Sequence, residues 1–117
     1  MRSLAAILLL ALFACGGPSA GSDQAAPSRA DLEPTADTEW VTIEGVEFPS
    51  AMAEAPSEIV EAYVFAAKHP EVLRYMPCYC GCENPAFAHR NNYDCFVDAI
   101  DTTGETPRVD PDPMGFG

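Results

Sequence analysis

The sequence predicts a mainly α fold: a small, cysteine-rich helical domain with a short N-terminal strand or hairpin, behind a disordered tether. Three observations lead there. Ile59, Val60, Tyr63, Val64 and Ala67 recur at the spacing of one helix face. Cys78, Cys80, Cys82 and Cys95 fall in a stretch of about sixty residues, a size at which apolar burial alone is marginal and a metal or disulfides often assist. From Gly16 to Thr38 the only large apolar residue is Leu32, too little to offset the entropy of ordering that segment.

The N-terminus comes first in the chain and sets the compartment. Arg2 precedes an apolar run from Leu4 to Ala14, the layout of a secretory signal peptide and too short to span a bilayer. Leu12-Phe13-Ala14-Cys15 resembles a bacterial lipobox, in which the cysteine is lipidated and becomes the new N-terminus. Residues 1–14 are therefore expected as a lipoprotein signal peptide and 15–38 as a lipidated N-terminus and flexible tether. Acyl chains on Cys15 would make membrane lipid the first partner, since each buried CH₂ contributes about 0.8 kcal/mol. The expected location is the cell membrane, on its extracytoplasmic side.

Charge excludes one class of partner. With 18 acidic against 6 basic side chains the formal charge is −12, and loss of Arg2 with the signal peptide makes it more negative still. Nucleic acid binds through clustered Lys and Arg, and none are clustered here. Anionic headgroups repel such a chain as well, so the lipid itself must hold it at the membrane.

The domain is expected over residues 39–101, with 102–117 as a polar Pro/Gly-rich tail. Val41, Ile43, Val46 and Phe48 alternate around Glu44-Gly45, as in a short hairpin. Pro56-Ser57-Glu58 opens the main helix, with proline suited to its first turn. Pro70 ends it near His69, and Glu71 to Tyr75 supply one more turn. Pro77 then pushes Met76 out of the helical region, so the chain enters the cysteine segment extended. Phe87, Tyr93, Phe96, Val97 and Ile100 place a second helix within Asn84 to Ile100.

Three of the domain's cysteines sit at i, i+2 and i+4, on one side of an extended chain, and Gly81 allows a turn that brings them closer. Soft thiolates select Cu(I) or Zn(II). One-residue gaps are tighter than those of structural zinc sites, which favours copper. The candidate ligands are Cys78, Cys80, Cys82, Cys95 and His89, with His69 and Met76 near enough in sequence to contribute. Two alternatives stand beside a metal site. Four cysteines in an oxidising compartment can form two disulfides in any of three pairings, giving a stapled module for an unidentified extracytoplasmic protein partner. Cys80-Gly81-Cys82 can also act as a thiol–disulfide redox pair. That role needs a lowered thiol pKa, which Glu83, Asp94 and Asp98 oppose. No serine–histidine pair, phosphate loop or hydrolytic carboxylate pair appears, and the chain is not expected to be an enzyme. Asp110-Pro111-Asp112-Pro113 reads as a solvated stretch rather than a calcium site.

Pro77-Cys78-Tyr79-Cys80-Gly81-Cys82 resembles the signature of the PCYCGC-motif lipoproteins, a family of small bacterial proteins. Phe65 to Leu73 ahead of it is similar to the family's lead-in, and His89 with Asp94-Cys95-Phe96 to its downstream half. The resemblance implies that relatives continue with further cysteines beyond the position corresponding to Gly117. It implies no particular reaction.

Overall fold

The computed structural model describes residues 27–116. The expected signal peptide, Cys15 and most of the tether therefore lie outside the described residues. In chain order the elements are α1 (Arg29–Leu32), β1 (Trp40–Ile43), β2 (Val46–Pro49), a 3-10 turn over Ser50–Glu54, and α2 (Ser57–Lys68). There follow α3 (Pro70–Leu73), a 3-10 turn over Asn92–Cys95, β3 (Val97–Asp101), β4 (Arg108–Pro111) and a last 3-10 turn over Pro113–Phe116.

The fold is α+β, not mainly α. Four strands form one mixed sheet in the order β1-β2-β4-β3, and among the described residues only α2 exceeds four residues as an α-helix. The expected hairpin is present: β1 and β2 pair antiparallel from Trp40↔Pro49 to Ile43↔Val46. Its two-residue turn has positive φ at both Glu44 and Gly45, the conformation whose twist matches flanking strands. The main helix is also where the periodicity put it. Tyr63, Val64 and Ala66 are its buried residues, while Ile59, Val60 and Ala67 pack at the edge of the core. Lys68 ends it, and Pro70 starts the short α3, as the proline requires.

Two segments depart from expectation. Asn84 to Ile100 contains no α-helix; it makes turns, one 3-10 turn and then β3. Phe96, Val97 and Ile100 satisfy a helical spacing, but β4 offers β3 a partner, and the two pair antiparallel from Val97↔Pro111 to Asp101↔Arg108. The expected polar tail thus supplies an interior strand. β4 also meets β2 in parallel at Glu47↔Arg108, so it joins the two hairpins into one sheet. Val109, its one large apolar residue, is fully buried. The end of the expected tether is likewise part of the fold: Leu32 on α1 is 0% exposed and belongs to the same core.

That core contains Phe48, Met52, Tyr63, Val64, Leu73 and Val97 alongside Leu32 and Val109. A second buried cluster consists of Cys78, Cys82 and Cys95, with Phe96 and Met114 against it. Phe96 touches both clusters. Its ring meets Tyr63 edge-on at 5.2 Å between centroids, and Tyr63 in turn packs on Phe116 at 5.0 Å. The sulfur cluster is therefore seated directly on the apolar core.

Candidate metal centre

The cysteine segment follows α3 and has no regular secondary structure. Gly81 adopts φ +83°, a left-handed conformation that glycine takes without steric cost, and the chain folds back there. Asn84 Nδ2 donates to the Gly81 carbonyl at 3.0 Å, and the Asn84 side-chain oxygen accepts from Ala86 N at 2.9 Å. The loop then returns: His89 N donates to Cys82 O at 3.1 Å, and Asn92 N to Met76 O at 2.7 Å. Ala88, just before His89, also has positive φ, at 56°. For a residue with a Cβ that conformation is costly, and such strain gathers at functional sites.

This folding draws the sulfurs far closer than an extended chain would. Sγ of Cys80 lies 2.7 Å from that of Cys78 and 2.7 Å from that of Cys82. All three sulfurs lie within 4.8 Å of one another, so the group can hold a metal ion. Cys95 comes from the far side of the loop and reaches Cys78 at 3.2 Å and Cys80 at 3.9 Å. All four cysteines are free thiols, because the closest approach exceeds the covalent S–S length of about 2.05 Å. Disulfide stapling is thus corrected: none is present among the described residues. Cys78, Cys82 and Cys95 are buried, and Cys80 is exposed.

His89 joins the site and His69 does not. His89 is 6% exposed, with Nδ1 at 3.6 Å from the Cys95 sulfur and Nε2 at 3.2 Å from Oδ2 of Asp112. His69 stays on the surface, beside Glu71 and the Phe65 ring, and Met76 is half exposed. Asp112 was missed from the sequence because it read as part of a solvated stretch. It is 4% exposed and fixed on four sides: its N–H donates to Phe96 O, and its carbonyl accepts from the Tyr63 hydroxyl. Oδ1 accepts from Met114 N at 2.7 Å, which leaves Oδ2 for His89. Twenty-odd residues separate the histidine from its carboxylate, and no local pattern in the sequence could have announced the pair.

The thiols differ in acidity. Hydrogen bonds from Cys78 and then Cys82 pull Cys80 down to about 7. Contact with Cys80, followed by burial, pushes Cys82 up to about 11. Burial, with Cys78 next, raises Cys95 further. The expectation that nearby carboxylates would raise the thiols of the Cys80-Gly81-Cys82 pair therefore fails for Cys80, where adjacent thiols outweigh more distant charges.

Cys95, His89 and Asp112 together have the connectivity of a cysteine-nucleophile triad. The sulfur is buried beside those of Cys78 and Cys80 and held protonated, however, which is the opposite of an activated nucleophile. A histidine with one nitrogen toward sulfurs and the other on a buried carboxylate is equally the arrangement of a metal-binding imidazole. A cleft of about 530 Å³ opens beside the cluster, with Cys78, Tyr79, Glu83, His89 and Arg90 in its walls. A larger one, about 650 Å³, lies away from the sulfurs against Ile43, Ala55 and Val60.

Fold and site together define a small α+β thiol-cluster domain. The family model described as protein of unknown function with PCYCGC motif matches residues 4–110, and the chain belongs to that family. Neither the curated proteins nor the solved structures contain a match to it.

Proposed function

We propose that the protein is a membrane-anchored extracytoplasmic lipoprotein whose thiol cluster binds a soft metal ion, Cu(I) in preference to Zn(II), as a binding protein rather than an enzyme. The observation that carries this reading is the convergence of Cys78, Cys80 and Cys82 to within 4.8 Å, with Cys95 and His89 alongside. A staple needs two sulfurs at bonding distance, whereas a cluster of free thiols suits a shared ion. Acylated Cys15 is the anchor, and no nucleic acid partner is proposed. Metal displaces thiol protons, so apparent affinity weakens as pH falls.

The test is thiol counting and elemental analysis on protein isolated from its own membrane. Free thiols with bound copper or zinc are expected, and Cys80→Ser should reduce uptake more than His69→Ala. Metal-free protein with two disulfides would overturn the reading. Intact mass should place the N-terminus at Cys15 with added acyl mass, and a Cys15→Ala chain that stays on the membrane would remove the anchor from the proposal.

A second reading is supported by Cys80 alone. An exposed thiol with a pKa of about 7 and two thiols beside it suits disulfide exchange. Its thiolate would attack a substrate disulfide and expel one substrate thiolate. The Cys78 or Cys82 thiolate would then attack the Cys80 sulfur and expel the second substrate thiolate, leaving the substrate reduced and the protein with an intramolecular disulfide. Reversible reaction of Cys80 with a model disulfide in metal-free protein, abolished by Cys80→Ser, would favour this reading.

A further inference from the structure

The donors link one to the next in a chain that bends sharply at Cys78. In order they run Cys82, Cys80, Cys78, Cys95 and His89, with successive separations of 2.7, 2.7, 3.2 and 3.6 Å. Two triplets can be cut from it. Cys78, Cys80 and Cys82 form one, with every sulfur within 4.8 Å of the others. Cys78, Cys80 and Cys95 form the second, with separations of 2.7, 3.2 and 3.9 Å. Cys78 and Cys80 belong to both triplets, Cys82 to the first and Cys95 to the second. Two sulfurs bound to one ion at about 2.3 Å each can be at most about 4.6 Å apart. The second triplet meets that limit at every separation, so it can hold an ion of its own.

Resting on the soft-metal reading above, we propose that the pocket holds two Cu(I) ions that share the thiolates of Cys78 and Cys80. The first lies on Cys82. The second lies on Cys95 and His89, a site that the three-cysteine cluster does not contain. With two thiolates shared, five donors offer seven coordination positions, enough for one three-coordinate and one four-coordinate Cu(I) ion and one short of two tetrahedral zinc ions. Charge points the same way. The pocket is mostly buried in a chain of formal charge −12, and a second cation cancels a thiolate charge that the first leaves uncompensated. Binding moves no electrons: each Cu(I) replaces thiol protons, which pass to solvent.

Asp112 is a positioning residue for the second ion. With the Nε2 proton on its carboxylate, the Nδ1 lone pair of His89 points toward Cys95. Loss of such an outer carboxylate typically costs 10–100-fold in metal affinity.

The experiment is a titration of the reduced full chain under anaerobic conditions with Cu(I), supplied as its acetonitrile complex against a colorimetric Cu(I) chelator, with native mass spectrometry for stoichiometry. Two ions per chain are expected. Cys82→Ser and Cys95→Ser should each leave one, and the double variant should hold fewer than either. Asp112→Asn should weaken one ion 10–100-fold and leave the other unchanged, with Asp112→Glu restoring it. Nitrogen chemical shifts of the His89 ring should show the Nε2-protonated form in the parent and its loss in Asp112→Asn. This readout does not depend on metal uptake. Saturation at one ion, removed equally by Cys82→Ser and Cys95→Ser, would overturn the two-ion site and leave the soft-metal reading intact. No uptake at all would overturn both.

Discussion

Two buried clusters divide the domain, one of hydrocarbon and one of sulfur, and they meet at Phe96. The hydrocarbon cluster draws on α1, α2, α3, β2, β3 and β4, with Ile43 of β1 packed against it, so elements remote in sequence hold one another in place. The sulfur cluster comes mainly from one loop. That loop is fixed by its own turns, by a few backbone hydrogen bonds and by the Asp112 contact. Burial of apolar area stabilises the first without any ligand. The second offers little apolar area of its own and places ionisable thiols side by side, so a bound ion would contribute most of its local stability.

The contrast breaks most severely on the hydrocarbon side. Phe48 is fully buried on β2, and Phe48→Ala should cost about 3–5 kcal/mol, read as a lowered denaturant midpoint. For so small a domain that is a large share of the total stability. Loss of the sulfur loop's order along with it would show that the loop depends on the core. If the loop kept its order in the unfolded core, the dependence proposed here would be refuted.

Gly115→Ala tests the seam between the clusters. A Cβ at this position would stand 2.6 Å from a Phe96 ring carbon and 2.7 Å from the Tyr63 hydroxyl oxygen. Both rings are packed and neither can swing away freely, so overpacking should cost about 1–3 kcal/mol in thermal or denaturant unfolding. It should also weaken metal uptake, because the shifted turn carries Met114, whose N–H holds Asp112 Oδ1. Unchanged stability would mean that this turn is not tightly seated.

The smallest effect sharpens the electrostatic side. Burial, then Glu33 and Asp112, raise the Asp110 carboxyl above its ordinary value. Its folded state thus prefers the proton more than its unfolded state does. The associated stability is present at low pH and is lost as pH rises through the raised folded value. Asp110→Asn should accordingly stabilise the domain at pH 7 by up to about 0.5 kcal/mol, with the difference vanishing near pH 3. Parallel unfolding curves for parent and variant at both pH values are the measurement, and a variant less stable at pH 7 would reverse the argument.

Legibility followed range. The β1–β2 hairpin and α2 were readable because alternation, periodicity and Gly45 act over a few residues. So was the meeting of Cys78, Cys80 and Cys82, where spacing and Gly81 suffice. β4 was not, because Arg108-Val109-Asp110-Pro111 carries one large apolar residue, and its strand character comes from β3 and β2 on either side. β3 misled for the complementary reason: its apolar positions fit a helix, and only pairing with β4 decides the matter. Leu32 looked too isolated to order its segment, yet its side chain is fully buried in the core and seats α1 there.

The parallel contact between β2 and β4 also imposes a timetable. It joins Glu47 to Arg108, positions at nearly opposite ends of the domain, and such distant pairings form late. A chain that emerges N-terminus first exposes Cys78, Cys80, Cys82 and Cys95 before β4 can enter the sheet and before Asp112 can reach His89. During that interval the thiols are open to oxidants and to mispairing, and they are withdrawn only when the last strand arrives. The sequence order that makes Asp112 hard to foresee thus makes its segment the final latch on the sulfur pocket.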